Sequence, residues 1–198
     1  MSGTFPLTPK FRSLRVASVQ PTLRSRTVSG RRQARQIAGQ YWRMVATFPP
    51  MSREDFSPIL AFIISQRGAF DTFILQPTVH KDTQGNPGGS PKVKLGSQTG
   101  RTVNTDGWTA NQIVMKAGDF VKFSGHAKVY MLTGDVTSDG NGDASMSIEP
   151  ALITSPADNE DVVYNNVPFT VALSGGLQEF SATAGDIYSY EVSFEEVL

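Results

Sequence analysis

Apolar and polar residues alternate along most of the chain, the pattern of strands with one buried face. Strands are predicted at 14–19 and 22–29, and in the next segment, residues 35–48, one face carries Trp42, Met44, Ala46 and Phe48. Near the C-terminus a second apolar face carries Tyr188, Tyr190, Val192 and Phe194. Between residues 110 and 183, further short runs are separated by turn residues about every ten positions. The pattern predicts a mainly β protein.

One segment, about residues 52–67, has a helical period instead. Ser52 is placed to cap it, and acidic residues in the first turn favour the positive end of the helix dipole. An apolar stripe follows with the spacing of one helix face: Phe56, Ile59, Leu60 and Ile63. Pro58 is awkward in a second turn, so the sequence allows a helix that starts at Ser57 or is kinked there. We predict one helix flanking a sheet.

Two further segments lack periodicity. Residues 1–10 contain two prolines and are expected to form an extended arm. Residues 78–109 are rich in Gly, Ser, Thr and Asn, with few apolar anchors, and predict a long inserted loop, within which KVKL (92–95) allows a short hairpin. Such loops in compact domains are either functional or mobile. With 198 residues, the chain is expected to form a single domain over 1–198.

The net charge of zero conceals a strong asymmetry. Residues 1–53 carry ten Lys and Arg and no acid, whereas residues 129–198 carry twelve Asp and Glu and no base. One hypothesis is that basic and acidic strands are neighbours in one sheet and pair across it. The other is that the basic face of one copy meets the acidic face of the next, a head-to-tail contact that closes rings. A third, less favoured hypothesis is nucleic-acid binding, since few aromatic residues accompany the arginines.

The head-to-tail hypothesis names candidate inter-subunit residues. The basic candidates are Arg24, Arg26, Arg31, Arg32 and Arg35. The acidic candidates are Asp158, Glu160, Asp161, Glu195 and Glu196.

The stretch DVTSDGNGD (135–143) combines Asp and Asn side chains with glycines, as calcium-binding loops do. Read from Asp135 as an EF-hand, its twelfth position, which needs a bidentate Glu, is Met146. Its flanks alternate like strands, and Asp-Gly and Asn-Gly dipeptides favour hairpin turns. We therefore predict a turn rather than a metal site.

Catalysis finds little support in the sequence. The chain has no cysteine, and neither His80 nor His126 lies in a nucleophile or metal motif. The paired carboxylates at 160–161 and 195–196 are expected to be solvated, on a loop and a terminal strand. The sequence predicts no enzyme, no cofactor, no metal site and no membrane segment.

Two segments resemble a known family. The first is YWRMVATFPPMSREDFSPILAFIISQRGAFDTFILQP (41–77), and the second is MKAGDFVKFSGHAKVYMLTGDVTSDGNGDASMSIEPAL (115–152). The second is similar to a stretch of tail proteins of long-tailed bacteriophages, in which AGD, KVYMLTGDV, DG-x-G and IEPAL recur in that order. Over about residues 35–155 the chain resembles a distal tail protein, or a closely similar minor tail protein of the tail tip.

The resemblance implies a tail-tube-like β-sandwich or barrel with one flanking helix. It also implies a virion protein of the tail tip, assembled in the host cytoplasm as a ring, typically a hexamer. Expected partners are other copies of the chain, the tail tube protein, and the tail-tip hub or other baseplate proteins, with DNA only in transit through the lumen. The loop and the N-terminal arm are then expected to reach neighbouring subunits. The alternative is a carbohydrate- or receptor-binding module, in which 78–109 is the recognition loop and Trp108 stacks on a sugar.

Overall fold

The computed structural model describes residues 3–176, 178–183 and 185–198, and these residues form one α-helix and seventeen strands. The helix is α1 (Arg53–Ser65). The strands are β1 (Ser13–Val19), β2 (Thr22–Arg26), β3 (Arg32–Gln36), β4 (Tyr41–Thr47), β5 (Met51–Ser52), β6 (Phe73–Leu75), β7 (Gly89–Val93), β8 (Thr102–Trp108), β9 (Ile113–Met115), β10 (Phe120–Phe123), β11 (Val129–Leu132), β12 (Val136–Thr137), β13 (Ala144–Glu149), β14 (Val162–Val163), β15 (Phe169–Leu173), β16 (Phe180–Thr183) and β17 (Ile187–Glu196). The predicted fold class, mainly β with one helix, is confirmed.

An antiparallel sheet in the order β1-β4-β17-β15-β6 forms the first half of the molecule. Its long central strand β17 also pairs near its N-terminal end with β5 and β16. The apolar face predicted for residues 35–48 is confirmed, because all four of its side chains are buried. Across β4 and β17, Met44 lies opposite Phe194 and Ala46 lies opposite Val192, so the two predicted apolar faces form one surface.

Helix α1 covers this surface. The Ser52 hydroxyl caps it by accepting a hydrogen bond from the Asp55 amide at 3.3 Å. Phe56 and the following apolar stripe point into the core of the sheet. The helix runs through Pro58, so the alternative start at Ser57 is wrong. The proline removes one donor to the Glu54 carbonyl, and the loss falls in the first turn, where Glu54 is exposed.

The N-terminal segment is held against the same core. The Phe5 amide donates to the Ile74 carbonyl at 2.8 Å, and the Ile74 amide donates to the Gly3 carbonyl at 2.9 Å. The Phe5 ring is buried among five other phenylalanines. Residues 3–5 of the predicted arm therefore extend the sheet beside β6 and do not project from the chain.

A barrel is inserted between β6 and β15, which are neighbours in the first sheet. Its strands follow the order β14-β10-β11-β13-β8-β7. The two ends of this sheet meet, because the Val93 amide donates to the Glu160 carbonyl at 2.9 Å and the Asn159 amide donates to the Val93 carbonyl at 3.0 Å. The sheet is thereby nearly closed into a barrel, which leaves little of its edges unpaired.

The prediction of a loop over residues 78–109 is wrong at Gly89–Val93 and Thr102–Trp108, which form β7 and β8 of the barrel. The hairpin allowed around KVKL is present, since Lys92 and Val93 pair antiparallel with residues of β8. Val93, Val103 and Trp108 are buried in the barrel core. The glycines that suggested a loop allow the two strands to approach closely. A Cβ on Gly107 would lie 2.5 Å from the Ser90 carbonyl oxygen, which no side chain tolerates.

The turn predicted for DVTSDGNGD is confirmed. One Asp139 carboxylate oxygen accepts hydrogen bonds from the Asn141 amide at 2.8 Å and the Asp143 amide at 2.9 Å. These bonds hold the pKa of Asp139 below its ordinary value, the Asp143 amide contributing most. The flanking strands β11 and β13 pair antiparallel, as a hairpin requires, and the connection also includes β12, which pairs with β9.

The molecule thus has two hydrophobic cores, one under the first sheet and one inside the barrel. They are not separate, since Phe120 and Val129 of barrel strands belong to the first core. The single-domain organisation over 1–198 stays a prediction. In the part of the chain that the structure describes, no helix is long and apolar enough to cross a membrane.

The buried carboxylate of Asp119 bonds the segment that leads from β6 into the barrel to the turn that precedes β10. Asp119 accepts hydrogen bonds from the Lys116 amide at 2.9 Å, the Gln84 amide at 3.1 Å and the Thr83 hydroxyl. Its side chain is almost fully buried, so each donor would lose its partner without gaining water if the carboxylate were removed.

We expect Asp119→Ala to lower the free energy of unfolding by about 2–3 kcal/mol, because buried donors to a charged group lose their acceptor. Urea denaturation of the purified protein measures this. The matched control is Asp135→Ala, since Asp135 is exposed and accepts one backbone bond, from the Ala117 amide at 3.0 Å. Equal effects of the two substitutions would contradict the role given to Asp119.

Candidate functional site: assembly surfaces and a buried junction

Glu196, at the end of β17, joins the first sheet to the barrel. Its side chain is fully buried, and that of its ion-pair partner Lys128 is 3% exposed. The carboxylate also accepts hydrogen bonds from the Val129 amide at 2.8 Å and the Trp42 amide at 3.2 Å. Lys128 and Val129 belong to the barrel, whereas Trp42 and Glu196 belong to the sheet, so one carboxylate bonds both halves.

Trp42 completes this junction from the other side. Its indole Nε1 donates to the Val129 carbonyl at 2.8 Å, and its ring packs edge-on against Phe120 at 5.2 Å between centroids. Both backbone polar groups of Val129 are therefore bonded to the first sheet. Because these bonds are buried, a rotation of the barrel against the sheet would leave several polar groups without partners.

The junction corrects the expectation that the paired carboxylates at 195–196 are solvated. Burial raises the pKa of Glu196 and lowers the pKa of Lys128, since each charge has lost its hydration. The attraction and hydrogen bond between the two charges oppose both pKa shifts, and the backbone donors Val129 and Trp42 oppose the shift of Glu196 alone. A continued period of two identifies Glu196 in the sequence, because it follows Val192 and Phe194 on the buried face of β17.

Glu195 lies on the opposite face of β17 and pairs across the sheet. Its carboxylate accepts from the Ser174 hydroxyl at 2.7 Å and from Arg43 of β4 at 2.8 Å. These bonds, the Ser174 hydroxyl first, lower the pKa of Glu195. The hypothesis of pairing between basic and acidic strands thus holds for Arg43 and Glu195, which are register partners.

Glu160 is also largely buried, contrary to expectation, and it holds the barrel loops together. It accepts hydrogen bonds from the Gly125 amide at 2.6 Å and the Ala157 amide at 2.9 Å. Its other neighbour is His126, whose Nε2 lies 3.6 Å from the carboxylate. Glu160 is far from Gly125 and His126 in the sequence and meets them only where two barrel loops fold together. No periodic pattern in the sequence indicates that Glu160 is buried.

Two of the acidic candidates remain exposed, Asp158 and Asp161. Asp158 accepts a hydrogen bond from the Leu95 amide at 2.8 Å, and the Asp161 carboxylate lies 3.6 Å from the Lys92 ammonium. The structure thus places the five acidic candidates in three different environments rather than on one face.

The five basic candidates, by contrast, lie together on the hairpin formed by β2 and β3. All five are exposed, and among the described residues none of them forms an ion pair within the chain. The hairpin pairs only with itself in the described structure, and Arg26 lies directly opposite Arg32. Like charges in opposed positions destabilise a ribbon, and two strands alone are marginally stable. The hairpin therefore has the features of a segment that is completed by a partner.

Trp108 does not supply the sugar platform that the alternative function requires. It is buried in the barrel core, and its indole Nε1 donates to the Thr105 hydroxyl at 2.8 Å. Both edges of β8 are paired, with β7 on one side and β13 on the other. The prediction of Trp108 as an exposed stacking residue is wrong, because its strand belongs to the barrel.

The boundaries of the inserted barrel coincide with a family match. A family model described as the B domain of distal tail protein pb9 matches residues 80–167, the segment between β6 and β15. Over these residues the chain is similar to the distal tail proteins. Distal tail protein pb9 of Escherichia phage T5 is 27% identical to it over 186 residues, which cover 91% of this chain and 87% of that protein. The resemblance found in the sequence is thereby confirmed, and it extends through both halves of the molecule.

We expect Glu196→Gln to lower the free energy of unfolding by about 3–5 kcal/mol, because Lys128 is left as an unpaired buried charge. The neighbouring substitution Glu195→Gln is the matched control. It breaks a partly exposed pair and is expected to cost at most about 1 kcal/mol. Urea denaturation followed by tryptophan fluorescence measures both, since Trp42 lies at the junction.

The double variant Glu196→Gln with Lys128→Met tests the cause. Removing both charges is expected to restore a large part of the stability lost in Glu196→Gln, because the buried unpaired ammonium is gone. A double variant that is less stable than Glu196→Gln alone would contradict this account of the junction.

Proposed function

We propose that this chain is a structural protein of a phage tail, and that it forms a ring at the distal end of the tail. Relation to the distal tail proteins supports the tail role. The observation that carries the ring is the β2–β3 hairpin, an exposed ribbon with five arginines and no described acidic partner in its own chain. If the hairpin of one copy contacts a different surface of the next copy, the same contact can repeat until a ring closes.

In this proposal the ring has six copies and joins the tail tube to the tail-tip hub or baseplate. The tail tube protein and hub proteins are its axial partners, and DNA crosses the lumen only in transit. The chain assembles in the host cytoplasm and stays in the virion at the tail tip. The proposal includes no catalytic step and no cofactor. The rigid junction at Glu196 suits such a part, because it holds the sheet and the barrel in one fixed relation.

A carbohydrate- or receptor-binding module is the weaker alternative. It depended on residues 78–109 as a free recognition loop and on an exposed Trp108. The structure places β7, β8 and Trp108 within the barrel, so neither feature is available.

The proposal predicts that native mass measurement and particle imaging show closed rings and that the protein is present in purified tails. Raising the ionic strength to about 1 M is expected to dissociate rings held by charge pairs, since the screening length falls to about 3 Å. A protein that stays monomeric at every concentration and is absent from purified virions would refute the proposal.

Charge reversal tests the hairpin directly. We expect Arg24→Glu with Arg26→Glu to raise the protein concentration needed for ring formation at least about tenfold, because like charges across an interface cost several kcal/mol. Lys81→Glu with Lys116→Glu is the control, since it changes the net charge equally at exposed positions outside the hairpin. Rings that form equally well in both variants would exclude the hairpin from the ring contact.

A further inference from the structure

The outer edge of β16 is a second incomplete surface. β16 pairs on one side with β17, and on its other side it pairs with no described strand. All four of its residues are exposed, and two large apolar side chains beside this edge, Phe180 and Ile187, are nearly half exposed. A free edge with exposed apolar side chains favours the addition of another strand.

The surroundings of β16 are acidic. Glu179 precedes the strand, and Asp186 precedes β17 in the same hairpin. Glu54 and Asp55 lie at the start of α1, which packs against this corner through the ring of Phe56 on Phe180, 5.2 Å between centroids. Arg53 is also exposed at the start of α1, so acids outnumber bases four to one among these residues.

The basic hairpin and the acidic edge lie at opposite corners of the first sheet. The hairpin leaves from the end of β1, an outer strand, where Val19 pairs with Tyr41. β16 lies on the far side of β17 and pairs with its N-terminal half, from Ile187 to Tyr190. Unlike surfaces on opposite sides of one molecule meet when copies are arranged head to tail.

The two surfaces also match in composition. The hairpin combines its arginines with exposed aliphatic side chains, Leu23 and Val28, and the β16 corner combines acids with Phe180 and Ile187. Each hairpin strand has five residues and is about 17 Å long. This is long enough to pair along the whole four-residue edge of β16. Residues 22–36 contain no aromatic side chain, which disfavours a single-stranded nucleic acid as the occupant.

We propose that the β2–β3 hairpin of one copy adds to the free edge of β16 in the next copy. Backbone hydrogen bonds extend the sheet across the boundary, the arginines face the acids around β16, and the aliphatic residues of the hairpin cover Phe180 and Ile187. The inference rests on the proposed ring, and it replaces the acidic candidates Asp158 and Asp161 by Glu179 and Asp186 as the receiving charges.

Thiol cross-linking tests the contact without background, because the chain has no cysteine. The variant Ser25→Cys with Ser181→Cys places one thiol on β2 and one on β16, both at exposed positions. A short bismaleimide added to the assembled protein is expected to give a ladder of covalent multimers that ends at the ring size. The control Ser25→Cys with Ser145→Cys moves the second thiol to the barrel strand β13 and is expected to give no ladder.

The outcomes separate this inference from the proposed function. Rings without a ladder above the control overturn the β16 contact and leave the ring standing, whereas the absence of rings in the unmodified protein overturns both. The absence of a ladder above the control, together with DNA binding that Arg24→Glu with Arg26→Glu abolishes, overturns the contact in favour of nucleic acid.

Charge exchange gives an independent measurement. Glu179→Lys with Asp186→Lys is expected to weaken ring formation at least about tenfold, and Arg24→Glu with Arg26→Glu in the same chain is expected to restore it. Asp158→Lys with Asp161→Lys, equal in charge, is the control and is expected to leave rings intact. The reverse result, in which only the control abolishes rings, overturns the assignment to β16.

Discussion

The burial of the Glu196 carboxylate determines how the first sheet and the barrel are placed against each other. A charge without water is tolerated only when its oxygens are fully bonded, and here the donors come from both the sheet and the barrel. The sheet and the barrel each need the other to satisfy a buried charge. The sheet cannot satisfy the end of β17 without the barrel strand at Val129, and Lys128 of the barrel cannot be buried without Glu196. Position and orientation of the two halves are therefore fixed by polar bonding, and the apolar packing around Phe120 adds to it.

The insertion point makes this coupling possible. The chain leaves the first sheet after β6 and returns in β15, its neighbour, so the barrel is connected by two adjacent segments. Asp119 fixes the outgoing segment by bonding residues 83 and 84. The barrel is therefore held to the first sheet by buried contacts as well as by its two connecting segments, which suits the proposed place between a tail tube and a tail-tip hub.

The charge asymmetry has two physical meanings in the folded protein. Some of the opposed charges are consumed within the chain, as in the pairs of Arg43 with Glu195 and Lys128 with Glu196. Other charges have no ion-pair partner among the described residues: the five arginines of the β2–β3 hairpin at one corner of the first sheet, and Glu179 and Asp186 beside the free edge of β16 at the opposite corner. The two hypotheses drawn from the sequence are therefore compatible, since each concerns a different set of residues.

The sequence by itself determined the local structure: the alternation of Trp42 to Phe48, the capped helix after Ser52 and the turn at Asp139. These depend on residues near one another in the chain, whose periodicity and hydrogen bonds need no distant partner. It also carried the family resemblance. It misjudged β7 and β8, because closely approaching strands and mobile loops both use glycine. Only the tertiary structure decided which carboxylates are buried and which edges stay open, because burial and strand pairing depend on residues far apart in sequence that folding brings together.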